Sequence, residues 1–367
     1  MKLLVIWPGI LLLLCSAMAH ADSKGRDIHN VVLVTLDGVR TQEMFGGADI
    51  EMLRSRLGEG RRLEDDAVYR RYWAATPQAR REKVMPFFWG TLMRHHGSIA
   101  GNPAFGSRVQ VGNTMRFSYP GYAELLTGRA HDDVIDSNDD RRYPFPTVLE
   151  RVREKLALPR GKVAAFGSWD RFSVIPEHRE GSIYVNAGFM PYASTDPVIR
   201  RLDALQDDAV AWSEERFDAF TTAFAFDYLK RERPRLLYVA LGDTDEWAHA
   251  GQYGFVLDSL RRTDEFLREL WTWMQSQPQY RGRTTLIVTT DHGRGVTTRD
   301  WTNHGPKVEG AQDIWIAIAT PGDSRRGEWR DSPTLRQGQV AATVSAAFGL
   351  DYAASEPDAD PPISLLP

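Results

Sequence analysis

Three short apolar runs in this sequence each lead into an acid, and an imidazole lies close to two of those acids. Residues 31–36 precede Asp37-Gly38, residues 236–241 precede Asp243 and Asp245, and residues 285–290 end in Asp291-His292. His249 follows Asp245 by four positions, so on a helix the two side chains share one face and can share an ion. His304 comes a short loop after His292. Carboxylate beside imidazole is the donor set of a divalent metal centre. An adjacent acid and imidazole at a buried strand end are costly unless something binds them. Asp243 competes with Asp245 as the ligand because it stands nearer the strand end.

A hydroxyl group adds a nucleophile. Ser118 lies in Phe117-Ser118-Tyr119-Pro120-Gly121-Tyr122, ahead of a helical stretch, and Pro120 suits the first turn of a helix. Unpaired backbone N–H groups at such a position favour an anion such as a phosphoryl group. Each feature has an ordinary explanation taken singly: Asp37-Gly38 as a turn, Ser118 as a helix cap, Asp245 and His249 as a surface pair, His304 as a loop histidine. Their joint occurrence is what points to a site. Arg116 and Arg294 have the guanidinium geometry to clamp phosphate oxygens, although most arginines are surface residues.

Something must hold these residues together, and the pattern of the chain says what. β-branched apolar runs at 31–36, 163–166, 236–241, 285–290 and 314–319 read as buried strands. Helical periodicity fills 147–156, 199–231 and 255–275. The alternation predicts an α/β three-layer sandwich, with a mostly parallel central sheet covered on both faces. Ligands of such sheets bind beyond the carboxyl ends of the strands, where the three acids fall. Residues 51–106 mix arginines with aromatics and break the alternation, which suggests an insertion or peripheral layer within one domain spanning 22–367. The acidic, proline-containing tail after Glu356 is expected to be loosely ordered.

With 42% hydrophobic residues in 367, the chain has the material for a large core, which excludes a disordered class. A net charge of −4 gives no general attraction to nucleic acid or anionic membranes, so phosphate recognition has to be local. Lys2, the apolar run 3–14 and the small residues up to Ala21 read as a secretory signal cleaved near Ala21. The run falls short of the roughly 20 residues that a span needs, and Pro8 interrupts it. The mature chain is therefore expected in the periplasm or secreted, without a transmembrane span. Cys15, the one cysteine, lies inside the signal, so carboxylate and imidazole must hold any metal.

A strand-end Asp37, a hydroxyl at Ser118, Asp245 with His249 four later, Asp291-His292 and a final His304 form an ordered set. In that order it resembles the alkaline phosphatase superfamily, especially its type I phosphodiesterase/nucleotide pyrophosphatase branch, from residue 31 to residue 318. The resemblance implies that Asp37, Asp291 and His292 hold one divalent ion, with Ser118 completing that site. Asp245, His249 and His304 would hold a second, and zinc is the usual metal. It further implies a hydrolase of small phosphoric esters, acting through a covalent phosphoseryl intermediate, with Asn138 contacting the phosphate. Ser118 stands where the diesterase branch usually has threonine. The sulfatase signature is absent, and only a short loop separates His292 from His304. Phosphodiesterase and phosphomonoesterase thus both remain open, beside a sulfatase-like hydrolase or a phospho-group transferase or mutase on the same fold. A non-catalytic metal-binding protein is the reading from another class; the filled nucleophile and ligand positions count against it.

Overall fold

The computed structural model describes residues 30–364. The stretch expected to be an export signal, with Cys15, lies outside the described residues. In chain order the strands are β1 (Asn30–Leu36), β2 (Ser98–Ala100), β3 (Val109–Gln110), β4 (Val163–Gly167), β5 (Tyr184–Ala187), β6 (Leu236–Leu241), β7 (Thr284–Thr289), β8 (Asp313–Ile314), β9 (Ile316–Ala319), β10 (Gly327–Glu328) and β11 (Leu335–Arg336). The α-helices are α1 (Ile50–Ser55), α2 (Ala67–Tyr72), α3 (Pro77–Val84), α4 (Ser118–Thr127), α5 (Val148–Lys155), α6 (Pro197–Gln206), α7 (Asp218–Glu232), α8 (Asp243–His249), α9 (Tyr253–Ser276) and α10 (Gln339–Ala347).

Eight strands form the central sheet in the order β10-β2-β9-β7-β1-β6-β4-β5, and β11-β3-β8 make a small second sheet. β1 pairs in parallel with both β6 and β7, which sets Thr35 opposite Ala240 and Thr289. β9 runs against its neighbours β7 and β2. Every residue of β1 is buried, yet its side chains alternate between two cores. Val32, Val34 and Leu36 pack with Phe224 of α7 and Leu257 and Leu267 of α9. Val31 and Leu33 pack with Leu125 of α4, Val148 of α5 and Val344 of α10. Helices on both faces explain why this strand reads as a continuous apolar run. The three-layer α/β sandwich expected from the sequence is the fold observed.

Three local expectations differ from what forms. The helical pattern at 199–231 is two helices, α6 and α7, separated by residues 207–217. In that break Glu215 bridges the backbone of Trp169, so a tertiary contact overrides a permissive periodicity. The run 314–319 is divided at Trp315: β8 joins β3 in the small sheet while β9 joins β7. The fully buried indole of Trp315 donates to the Val39 carbonyl at 3.1 Å, which anchors the chain where it changes sheets. The tail after Glu356 is packed rather than loose. Ile363 is buried and its N–H donates to Thr343 Oγ1 at 2.9 Å, while Asp360 N–H donates to Gly128 O at 2.7 Å.

The segment 51–106 contributes α1 to α3 and then β2, which lies between β9 and β10 in the central sheet. Its Phe88 and Trp89 are buried, and the Asp264 carboxylate of α9 accepts from Phe87 N–H at 3.0 Å and Phe88 N–H at 2.7 Å. Among the described residues, no helix is long and apolar enough to cross a membrane.

Helix α4 approaches the end of β7 so closely that a Cβ on Gly121 would stand 2.6 Å from the Asp291 carbonyl oxygen. Gly121→Ala is expected to destabilise the protein by about 1–3 kcal/mol, read as a lower urea midpoint. Gly46→Ala, with no other atom within 4 Å of the added carbon, should leave the midpoint nearly unchanged.

Candidate active site

At the carboxyl edge of the sheet, the turns after β1, β6 and β7 are stitched to one another. Gly38 N–H donates to Asp291 Oδ1 at 3.1 Å and Val39 N–H to Thr290 Oγ1 at 3.1 Å. Thr244 Oγ1 donates to the Asp37 carbonyl at 2.6 Å. Gly38 has φ +61°, and a Cβ there would stand 2.4 Å from Asp245 Oδ1. The glycine after Asp37 therefore serves the turn and also admits a second carboxylate.

His292 is wholly buried at the centre of this arrangement. Its Nδ1 lies 2.9 Å from the Gly293 carbonyl, which can only accept, so Nδ1 carries a proton and Nε2 is the nitrogen free to take a ligand in the neutral ring. Around Nε2 stand Asp37 Oδ1 at 3.3 Å, Asp291 Oδ2 at 3.5 Å and Asp245 Oδ1 at 3.8 Å. On the outer side, His249 Nε2 lies 2.9 Å from Asp245 Oδ2 and 3.0 Å from His304 Nε2.

Ser118 is the first residue of α4, and its Oγ stands 3.2 Å from His292 Nε2 and 3.4 Å from Asp37 Oδ1. The turn before it is held from within the helix. Buried Glu124 accepts from Gly112 N–H at 2.7 Å and from Asn113 N–H at 2.8 Å. Asn113 Oδ1 in turn accepts from Arg116 N–H at 2.8 Å, and Arg116 sits at φ 54°, a conformation costly for a side chain of this size. Asn138 lines the same cleft, with its Oδ1 accepting from Tyr119 N–H at 3.0 Å.

Asp37, Ser118, Asn138, Asp245, His249, Asp291, His292 and His304 converge on this edge. Asp243 does not join them: its Oδ1 accepts from Asp218 N–H at 2.9 Å, and it groups with Glu215 and Asp218 instead. The two arginines are engaged with the protein. Arg116 Nη1 donates to the Pro306 carbonyl at 3.2 Å. Buried Arg294 pairs with the Asp245 carboxylate and donates to Thr302 O at 2.7 Å.

Sequence reasoning missed Trp169, Arg171, Glu214, Glu215 and Glu246, which also line the cleft. Trp169 and Arg171 follow β4, so the strand-end rule applied to 163–166 would have found them. Glu214 and Glu215 were hidden inside the apparent 199–231 helix. The Arg171 guanidinium is 2.8 Å from Asp170 Oδ1 and 3.4 Å from Glu214 Oε1.

Electrostatics separates the three central carboxylates. Burial, reinforced by the Asp245 charge, holds Asp37 well above the usual carboxylate range, although Tyr122 OH donates to it at 2.9 Å. Burial and the Asp37 charge raise Asp291 likewise. Against the opposing effect of burial, Arg294 and then His249 hold Asp245 well below that range. Burial, with His292 next, pushes His304 down to about 2, so its imidazole is neutral at ordinary pH.

Do these residues fit metal ions? Ligand atoms of Asp37, Asp291 and His292 lie within 4.8 Å of one another, and so do those of Asp245, His292 and His304. Asp291 Oδ2 and His304 Nδ1 are buried without a hydrogen-bond partner. A buried carboxylate oxygen without a hydrogen bond, with other carboxylates at hand, is stabilised by a cation. Mixed oxygen and nitrogen donors suit a borderline metal such as zinc.

A mostly parallel sheet sandwiched by helices, with a seryl hydroxyl, carboxylates and imidazoles gathered at its carboxyl edge, defines the alkaline phosphatase superfamily. Within it, the chain belongs to the type I phosphodiesterase / nucleotide pyrophosphatase family, whose model matches residues 61–325. Membership makes it an enzyme of the phosphoester hydrolase type. The match takes in Ser118, Asn138, Asp245, His249, Asp291, His292 and His304, while Asp37 precedes it. Among solved structures, the phosphonate monoester hydrolase of Silicibacter pomeroyi is similar at TM-score 0.54 and 13% identity, over 88% of this chain and 74% of the other. Wild-type alkaline phosphatase PafA is similar at TM-score 0.52 and 10% identity, over 89% and 96%. Ps i-CgsB in complex with k-i-k-neocarrahexaose is similar at TM-score 0.55 and 13% identity, over 91% and 75%. No curated protein matches the chain in sequence.

Arg294 is the guanidinium that balances Asp245 in this buried setting. In the metal-free protein Arg294→Gln is expected to cost about 3–5 kcal/mol of stability, because it leaves a buried charge unpaired. Chemical unfolding of both proteins in a chelator would measure the loss.

Proposed function

We propose that this chain is an exported hydrolase of small phosphoric esters, with Ser118 as nucleophile and residues 22–367 as one catalytic unit. The observation that carries this reading is the position of Ser118 Oγ, 3.2 Å from His292 Nε2 and 3.4 Å from Asp37 Oδ1 at the start of α4. Asp37, Asp291 and His292 would hold one divalent ion, with Ser118 beside it, and Asp245, His249 and His304 a second; zinc is the metal proposed. When bound, such ions acidify the serine hydroxyl and neutralise charge on the phosphoryl group and the leaving oxygen.

The chain's own residues supply the rest. Ser118 Oγ gives up its proton to solvent and forms a bond to phosphorus, while the bond to the leaving oxygen breaks and the leaving group departs with the electron pair. Water then attacks phosphorus, releasing the phosphate product and restoring Ser118. Of the first N–H groups of α4, Tyr119 N–H is taken by Asn138 and Pro120 has none, which leaves Ser118 N–H for the anion. Asn138, with its oxygen taken by Tyr119 N–H, retains amide N–H groups for a phosphate oxygen. Arg171 in the cleft wall supplies a second donor. Monoester and diester substrates both fit this scheme.

Zinc-loaded protein is expected to release nitrophenol from an aryl phosphate monoester or diester faster than from an aryl sulfate. Two bound metals per chain with no turnover of either phosphate would overturn the proposal. Ser118→Ala should lower kcat by roughly a thousandfold or more and abolish covalent phosphate labelling, while the metal content stays the same.

Metal affinity should depend on pH in a defined direction. Asp37 and Asp291 are held above the carboxylate range, so protons compete for them and are displaced when a metal binds. Affinity is therefore expected to rise with pH, by up to about tenfold per unit for each proton displaced. Chelator competition at pH 5.5 and 7.5 would test this, and Asp37→Asn should flatten the dependence.

A further inference from the structure

In the wall between the Ser118 cleft and a second cavity lies another group of acids: Glu215, Asp218 and Asp243. Glu215 borders the cleft, while Asp218 and Asp243 border the cavity, which measures about 300 Å³. Ligand oxygens of the three lie within 4.8 Å of one another, and the residues are 5%, 8% and 2% exposed. Backbone donors aim the carboxylates inward. Asp218 Oδ1 accepts from Gly242 N–H at 2.8 Å and from Ser168 Oγ at 2.6 Å, and Asp243 Oδ1 accepts from Asp218 N–H at 2.9 Å. Arg216, although it lies between two of them in sequence, turns to Thr221 Oγ1 at 2.9 Å and Asn186 Oδ1 at 2.8 Å. Among the described residues none of the three forms a salt bridge within 4.0 Å; Arg262, an exposed residue of the cavity lining, acts on Asp218 and Asp243 only from beyond that distance.

Two further observations point to a ligand. Ser259 of α9 is 2% exposed and lines the cavity with Asp218 and Asp243, yet its Oγ has no hydrogen-bond partner; nor does buried Glu215 Oε1. The backbone is also shaped around the Glu215 carboxylate, since a Cβ on Gly242 would stand 1.9 Å from Oε1. Charging all three of these buried carboxyls without a cation is strongly unfavourable. An all-oxygen donor set with no imidazole selects a hard ion rather than zinc.

We infer that Glu215, Asp218 and Asp243, with Ser259, form a binding site for a hard divalent cation of the calcium type, separate from the imidazole-containing centre. Water in the cavity would complete its coordination shell. The ion would tie together the 207–217 connection and the starts of α7 and α8, and so fix the helix that carries Asp245 and His249. The site stands whether or not the cleft hydrolyses phosphoric esters.

The test uses the full chain, first saturated with zinc, and Tb³⁺ as the probe, with luminescence excited through tryptophan; Trp169 pairs directly with the Glu215 backbone. One saturable Tb³⁺ site per chain, displaced by Ca²⁺, is expected. Glu215→Gln and Asp218→Asn should weaken it by about tenfold or more with zinc content unchanged. Ser259→Ala removes no charge and covers the case in which a carboxamide variant fails to load zinc; it should weaken Tb³⁺ by at least about threefold. No sensitised site in the wild type, or Tb³⁺ affinity unaltered in Ser259→Ala and in the zinc-loaded carboxamide variants, would overturn the inference.

Discussion

Like charge crowded into a dry place governs this structure. Parallel pairing of β6, β1 and β7 brings the exits of three strands within side-chain reach of one another, and each exit carries a buried carboxylate. Strands about 5 Å apart leave Asp37, Asp245 and Asp291 no room to escape each other. One guanidinium, Arg294, offsets part of that repulsion from beneath Asp245. A cation held by His292 at the centre, or by His249 and His304 on the outer side, would offset the remainder. A fold that must keep this cluster intact has accepted a constraint that hydrophobic packing alone would not choose.

Around the cluster, the neighbouring elements are fitted closely rather than loosely draped. Glycines at 38 and 121 stand where any side chain would strike Asp245 or the Asp291 backbone. Gln337 donates to the Asp291 carbonyl at 2.6 Å from the opposite direction, so the strand end is held on two sides. The turn that presents Ser118 is pinned by a buried glutamate on the same helix and includes a non-glycine residue in the left-handed region. Strain of this kind persists only where surrounding contacts over-determine it, and it is common beside reactive groups. The hydroxyl is thereby fixed relative to the carboxylates before any ligand arrives.

Much of this was legible in the chain. The run 31–36 announces a buried strand because both of its faces meet helices, and Asp37 stands at its end for the same reason. Asp245 and His249 share a helix face by spacing alone. Other elements resisted. The pattern at 199–231 is compatible with one helix, and the contact of Glu215 with Trp169 that divides it is far away in sequence. Trp315 looks like one more apolar residue in a strand; its burial and its bond to Val39 are what turn the chain into a different sheet. The acidic tail has the composition of a loose end, yet a buried isoleucine and the N–H groups of Asp360 and Ile363 dock it.

By itself, then, the order of residues determined the layered α/β architecture and the identity of the acids and imidazoles, because periodicity and strand-end position are local properties that survive in one dimension. Only the tertiary structure set apart the surroundings of Asp243 and Asp245. Both follow β6 and both carry the same group. Two residues on, however, a helix turns the second toward His292 and Arg294, while the first faces Glu215 and Asp218. The direction of a side chain is set by packing partners distant in sequence, so two identical carboxylates came to stand in different electrostatic surroundings.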